Sequence, residues 1–151
     1  PPKDAVARAA ALVRVRSPGG GTGALGPLMD PPVPVLAATV EPDAEDSARL
    51  SGTRVVGFAG IARPVKFFHT LDAIGCNVVG TRAFADHYPF RGGDLSSLFE
   101  EADALEARLV TTEKDAVRLP PPVRARVEVL RIHAAFDDAQ ALDAVLAPVL
   151  P

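Results

Sequence analysis

Four short stretches carry residue types that could do chemistry. Asp86-His87-Tyr88-Pro89 sets an imidazole beside a carboxylate. Histidine exchanges a proton near neutral pH, and a carboxylate partner fixes its tautomer and raises its pKa. Neighbours in sequence need not touch, however, and a solvated turn ahead of Pro89 accounts for the same residues. Phe58 to Pro64 (FAGIARP) reads as a strand end, a glycine turn and a helix start. The helix N-terminus there could attract an anion with Arg63 assisting, or the segment is a plain connection. Thr111-Thr112-Glu113-Lys114-Asp115 follows an apolar strand. Its hydroxyls and N–H groups could receive a phosphate or a ribose, with Glu113 and Lys114 reading a polar ligand. Equally, it is an ordinary helix start whose first turn Asp115 stabilises. Gly19 to Gly23 (GGGTG) has the glycine content of a phosphate loop, but Ala24 and Leu25 stand where such a loop needs Lys and then Ser or Thr. It therefore reads as a flexible hinge.

The remaining reactive types point to structure. His69 falls on a helix and His133 follows a strand, both as surface residues, and Cys76 opens a strand as a small core residue. A single cysteine cannot form an internal disulfide, which is compatible with a reducing compartment. Without clustered histidines or carboxylates, no metal site is expected. The 151 residues are 48% hydrophobic and 23% charged, enough for one domain with its own core. A net charge of -3 gives no footing for nucleic-acid binding by bulk positive charge. No apolar run approaches the roughly 20 residues of a membrane helix. The start Pro1-Pro2-Lys3, with neither an initiator Met nor a signal segment, suggests a piece of a longer protein.

Elements able to position these stretches follow from hydrophobic periodicity. Asp4 to Ala11 reads as a short helix and Leu12 to Val15 as a strand; Ser17 to Pro34, rich in Gly and Pro, reads as a flexible connection. Val35 to Val40 is a strand, Glu41 to Leu50 a polar turn region, and Thr53 to Ala59 a buried strand. Pro64 to Ile74 is a helix with Phe67, Phe68, Leu71 and Ile74 on one stripe and Gly75 as its stop. Asn77 to Thr81 is a strand, Phe84 to Phe90 an aromatic loop, and Asp94 caps a helix burying Leu95, Leu98, Phe99, Ala102 and Leu105. Arg108 to Thr111 is a strand, Thr112 to Leu119 a short helix, Pro120 to Pro122 a break, Val127 to Ile132 a strand, and Asp137 to Leu146 a closing helix. Strand and helix alternate with short connections, which predicts a parallel sheet covered on both faces, an α/β/α arrangement. Ligands of such folds bind beyond the carboxyl ends of the strands, where 60–63, 84–90 and 111–115 all lie.

FAGIARPVKFF (Phe58 to Phe68), TRAFADHYPF (Thr81 to Phe90) and LVTTEKDAVRL (Leu109 to Leu119), in this order and at these separations, closely resemble the C-terminal half of the tetraacyldisaccharide 4'-kinase family, the lipid A kinases of Gram-negative bacteria. The resemblance runs from about Val33 to Val149, with Ala62 where the family often has glycine. It implies a three-layer α/β/α lobe similar to P-loop kinases, without the Walker lobe. Residues 1–34 would be the end of the N-terminal lobe and the hinge, and residues 35–151 the C-terminal lobe.

The implied activity is transfer of the ATP γ-phosphate to the 4'-hydroxyl of a tetraacylated glucosamine disaccharide 1-phosphate, at the cytoplasmic face of the inner membrane. ATP and Mg²⁺ would be held mainly by the N-terminal lobe, which also meets the membrane, so this part would be soluble and inactive alone. The family's Asp-His motif falls on Asp86 and His87, whose imidazole would pair with the catalytic aspartate across the lobes. Arg63, Thr111, Thr112, Glu113, Lys114 and Asp115 are the implied substrate or nucleotide contacts. The alternative is a non-catalytic α/β ligand-binding or regulatory module.

Overall fold

The structure is a computed structural model that describes residues 9–16 and 33–148. Residues 4–8 of the expected N-terminal helix and most of the Gly/Pro-rich connection lie outside the described residues, while residues 9–11, also expected to be helical, are not helical. The chain divides into two compact units, one of residues 42–132 and one of residues 1–41 with 133–151.

The larger unit is built on a four-stranded parallel sheet of β3 (Arg54–Ala59), β4 (Asn77–Ala83), β5 (Arg108–Thr112) and β6 (Glu128–Leu130), in the order β4-β3-β5-β6. Strict alternation along β3 splits its side chains between two cores. Val55 and Ala59 join Leu50, Phe67, Leu71, Val110 and Leu130 on one face, beneath α1 (Ala44–Leu50) and α2 (Pro64–Ala73). Val56 and Phe58 join Leu95, Leu98, Ala102 and Leu109 on the other, beneath α3 (Gly92–Ala104). Helices thus cover both faces, as the alternation predicts. Gly57 points toward α2, where a Cβ would lie 2.8 Å from the Leu71 Cδ1; the glycine lets helix and sheet approach.

Both long helices end in the same reciprocal pattern. Gly75, at φ 86°, and Cys76 donate back to Asp72 and Leu71 at 3.0 Å each. At the end of α3, Glu106 and Ala107 donate to Asp103 and Ala102 at 3.1 and 2.9 Å. Here Glu106 holds the left-handed position, φ 49°, that glycine usually takes. Cys76 is buried and its thiol donates to the Leu50 carbonyl at 3.4 Å; burial pushes its pKa up, consistent with a core residue.

Four expectations need correction. Glu41 to Leu50 is a strand end followed by α1, because Asp43 accepts from the Asp46 amide at 3.0 Å and caps a helix whose sole apolar anchor, Leu50, is fully buried. Asp94 is not the capping residue of α3 but lies in its first turn, accepting from the Arg91 amide at 2.9 Å. The proline break holds a one-turn helix, α5 (Pro121–Arg124). The strand expected over 127–132 is interrupted at Arg131: β6 closes the parallel sheet, and β7 (Ile132–Phe136) belongs to another. The cause is Asp46. Its buried carboxylate accepts from the Arg131 amide at 3.0 Å and from Nε at 2.8 Å, holding the backbone off the ladder.

In the smaller unit, β1 (Leu12–Arg16), β2 (Val35–Pro42) and β7 form a three-stranded sheet in the order β1-β2-β7, with β1 and β2 parallel. Asp138 caps α6 (Ala139–Leu146) by accepting from the Ala141 amide at 2.9 Å. Among the described residues, no helix is long and apolar enough to cross a membrane.

Candidate functional site

The parallel sheet delivers the loops after β3, β4 and β5 to one edge, and the three motifs meet there. Gly60 is the meeting point. Its amide donates to the Asp115 Oδ2 at 3.1 Å, and its carbonyl accepts from the His87 amide at 3.0 Å and from the Arg118 Nη2 at 2.9 Å. A Cβ at Gly60 would stand 3.2 to 3.3 Å from the Ala85 carbonyl oxygen, the Asp115 Oδ1 and the Tyr88 Cβ, so the approach of the three loops depends on its absence.

Asp115 lies under this junction, fully buried. Its Oδ2 also accepts from the Thr112 hydroxyl at 2.7 Å, and its Oδ1 is paired with the Arg118 guanidinium. Thr112 in turn caps α4 (Glu113–Ala116), accepting from the Asp115 amide at 3.2 Å. Thr111 is buried, with its hydroxyl donating to the Phe58 carbonyl at 2.8 Å. Thr111 and Asp115 are therefore spent on internal bonds and hold the loops together, while Glu113 and Lys114 are exposed and open to a partner. With only four residues and its cap already made, α4 has no anion-binding N-terminus to offer. Arg63 is exposed at the N-cap of α2 without a capping side-chain bond.

The loop from Phe84 to Phe90 stands on an aromatic cluster. Phe84, Tyr88 and Phe90 pack mutually with ring centroids 4.9 to 5.8 Å apart, and Phe90 meets the buried Phe58 edge-on at 5.6 Å. The Tyr88 amide closes a turn onto the Ala85 carbonyl at 3.1 Å, with Asp86 and His87 at its tip. His87 adopts φ 56°, a left-handed conformation that costs a non-glycine residue about 1–2 kcal/mol. Its side chain is 88% exposed. The Asp86 Oδ2 lies 3.9 Å from the His87 Nε2, beyond hydrogen-bond reach, so in this arrangement the carboxylate does not fix the tautomer of the ring. His69 and His133 are exposed and lie apart from this cluster in sequence and element.

The residue that sequence reasoning passes over is Arg118. Its guanidinium reaches the Gly60 carbonyl, the Tyr88 carbonyl (3.4 Å) and Asp115, and lies 5.7 Å from the Phe90 ring centre. The spacing Asp115-x-x-Arg118 was the available signal, since residues three apart share a helical face.

The family model described as tetraacyldisaccharide-1-P 4'-kinase matches residues 2–151. The chain belongs to this family. A tetraacyldisaccharide 4'-kinase of Rhodospirillum rubrum is 45% identical over 142 residues, covering 93% of this chain and 43% of the relative. One from Rhodospirillum centenum is 42% identical over 150 residues, covering 99% and 44%. A third, from Methylobacterium radiotolerans, is 52% identical over 110 residues, covering 73% and 33%. The chain thus spans less than half the length of the curated tetraacyldisaccharide 4'-kinases it matches. In fold it is similar to a crystal structure of LpxK from Aquifex aeolicus in complex with ATP, with TM-score 0.62 and 18% identity over 100% of this chain and 45% of that one. The α/β/α architecture with a parallel sheet is therefore that of a kinase family, and the three motif loops at the sheet edge are its candidate site.

Proposed function

We propose that this chain is the C-terminal lobe of a tetraacyldisaccharide 4'-kinase, with residues 1–34 ending the N-terminal lobe and hinge and residues 35–151 forming the second lobe. The intact enzyme transfers the γ-phosphate of ATP to the 4'-hydroxyl of a tetraacyldisaccharide 1-phosphate, in lipid A synthesis at the cytoplasmic face of the inner membrane. The observation that carries the reading is His87: an imidazole held at φ 56°, 88% exposed, on a turn anchored to Gly60. Strain of this kind persists only where the surroundings over-determine it, and it concentrates at functional sites.

ATP fits the exposed charge at this edge. Arg63 and Lys114 offer cations for phosphate oxygens, and Glu113 an acceptor for a ribose hydroxyl. Bound ATP supplies the phosphoryl group and its leaving group. Mg²⁺ would be held mainly by the N-terminal lobe; among the described residues there is no cluster of three or more His, Cys, Asp or Glu that could hold a metal ion. The chain's own part is positional. His87 meets a carboxylate presented by the N-terminal lobe, orients it and tunes its basicity, and Asp86 sits beside it on the same turn. Closure of the lobes completes that pair and excludes water.

The test is an assay of the full-length enzyme with ATP, Mg²⁺ and tetraacyldisaccharide 1-phosphate. Phosphorylated lipid should form, and His87→Ala should lower kcat about 10²- to 10⁴-fold with little change in KM for ATP. A full-length protein that binds these compounds but transfers no phosphate supports the non-catalytic module instead.

A further inference from the structure

We infer that Arg118 is a positioning residue for His87, acting through the Gly60 carbonyl; the inference rests on the catalytic reading of His87 above. Among the described residues, the backbone of His87 makes one cross-loop bond, from its amide to the Gly60 carbonyl at 3.0 Å. Arg118 donates to that same oxygen at 2.9 Å and to the Tyr88 carbonyl, one residue beyond His87, at 3.4 Å. One guanidinium therefore grips both the anchor of the turn and its exit.

The grip is itself held in place. Arg118 pairs with Asp115, which is fully buried and binds the Gly60 amide from below, so acid and base clamp the two sides of one peptide segment. Its Nε donates to the Lys114 carbonyl at 3.2 Å, fixing the stem. The arrangement needs a planar fork with several donors in fixed directions, which arginine supplies and a lysine ammonium does not. A strained residue needs such restraint: left to itself, a turn with a non-glycine residue at φ 56° relaxes toward ordinary conformations and carries the imidazole with it. An imidazole displaced by about an ångström loses much of its effect on transfer, because geometry dominates such catalysis.

The experiment is a double-mutant cycle in the full-length enzyme with Arg118→Lys and His87→Ala, read as kcat and KM for ATP. Arg118→Lys keeps the positive charge beside Asp115. It should lower kcat about tenfold with KM changed by less than about twofold, and in the His87→Ala background it should lower kcat no further. Hydrogen exchange gives a readout independent of turnover: the His87 amide should lose protection in Arg118→Lys while amides of β3 and β5 keep theirs. An equal loss of kcat with and without His87, or unchanged protection of the His87 amide, overturns the inference. Near-parental kcat for His87→Ala alone overturns the catalytic reading of His87 instead, and separates the two failures.

Discussion

Replacing His87 with glycine should move stability and activity in opposite directions. The left-handed backbone at φ 56° costs histidine about 1–2 kcal/mol, and glycine removes that cost while adding about 0.5–1 kcal/mol of unfolded-state entropy. With the side chain 88% exposed, little packing is lost, so the net expectation is a gain of roughly 0.5–1 kcal/mol. In a protein of this size or larger that is an increase of about 2 °C in Tm, measurable by calorimetry. In the kinase assay the same substitution should lower kcat by about 10²-fold or more. An ordinary turn residue would show the stability gain with kcat within a few-fold. That result in a folded His87→Gly enzyme would refute the assignment of strain to function. His87→Asn is the companion variant: asparagine tolerates the left-handed region, so stability should hold while activity falls.

Two further outcomes follow from the packing. The Arg131 guanidinium, with its amide and Arg49 in support, holds the Asp46 carboxyl well below the usual carboxylate range despite burial. A pKa lowered on folding contributes stability that is fully present above the unfolded value, about 4, and is lost as pH falls through the folded one; Asp46→Asn should lower stability at pH 7 and flatten the acid limb of a urea-midpoint profile. Glu106→Gly, at the left-handed end of α3, should raise the unfolding midpoint by an amount similar to His87→Gly without touching kcat, since Glu106 lies at the amino-terminal edge of β5, opposite the motif loops.

Much of this architecture is written in local periodicity. The spacing of Phe67, Phe68, Leu71 and Ile74 marks the buried side of α2, where Phe67 and Leu71 are core and the other two pack against it. The apolar run of β3 announces a strand covered on both faces. Parallel order then brings the loops after β3, β4 and β5 to one edge without further information, which is why three separated motifs could be read as one site. What periodicity reports is the face a residue occupies, and it says nothing about partners dozens of positions away. Asp115 and Gly60, 55 residues apart, meet only in the folded chain, and with that contact Asp115 becomes a buried support and Arg118 a clamp. Asp46 interrupts a strand at Arg131 from 85 residues away, against a local sequence that favours continuation. Both are buried carboxylates, whose desolvation must be offset by charged or N–H donors wherever the fold can supply them. The tertiary structure decides which donors those are, because only there are such groups neighbours.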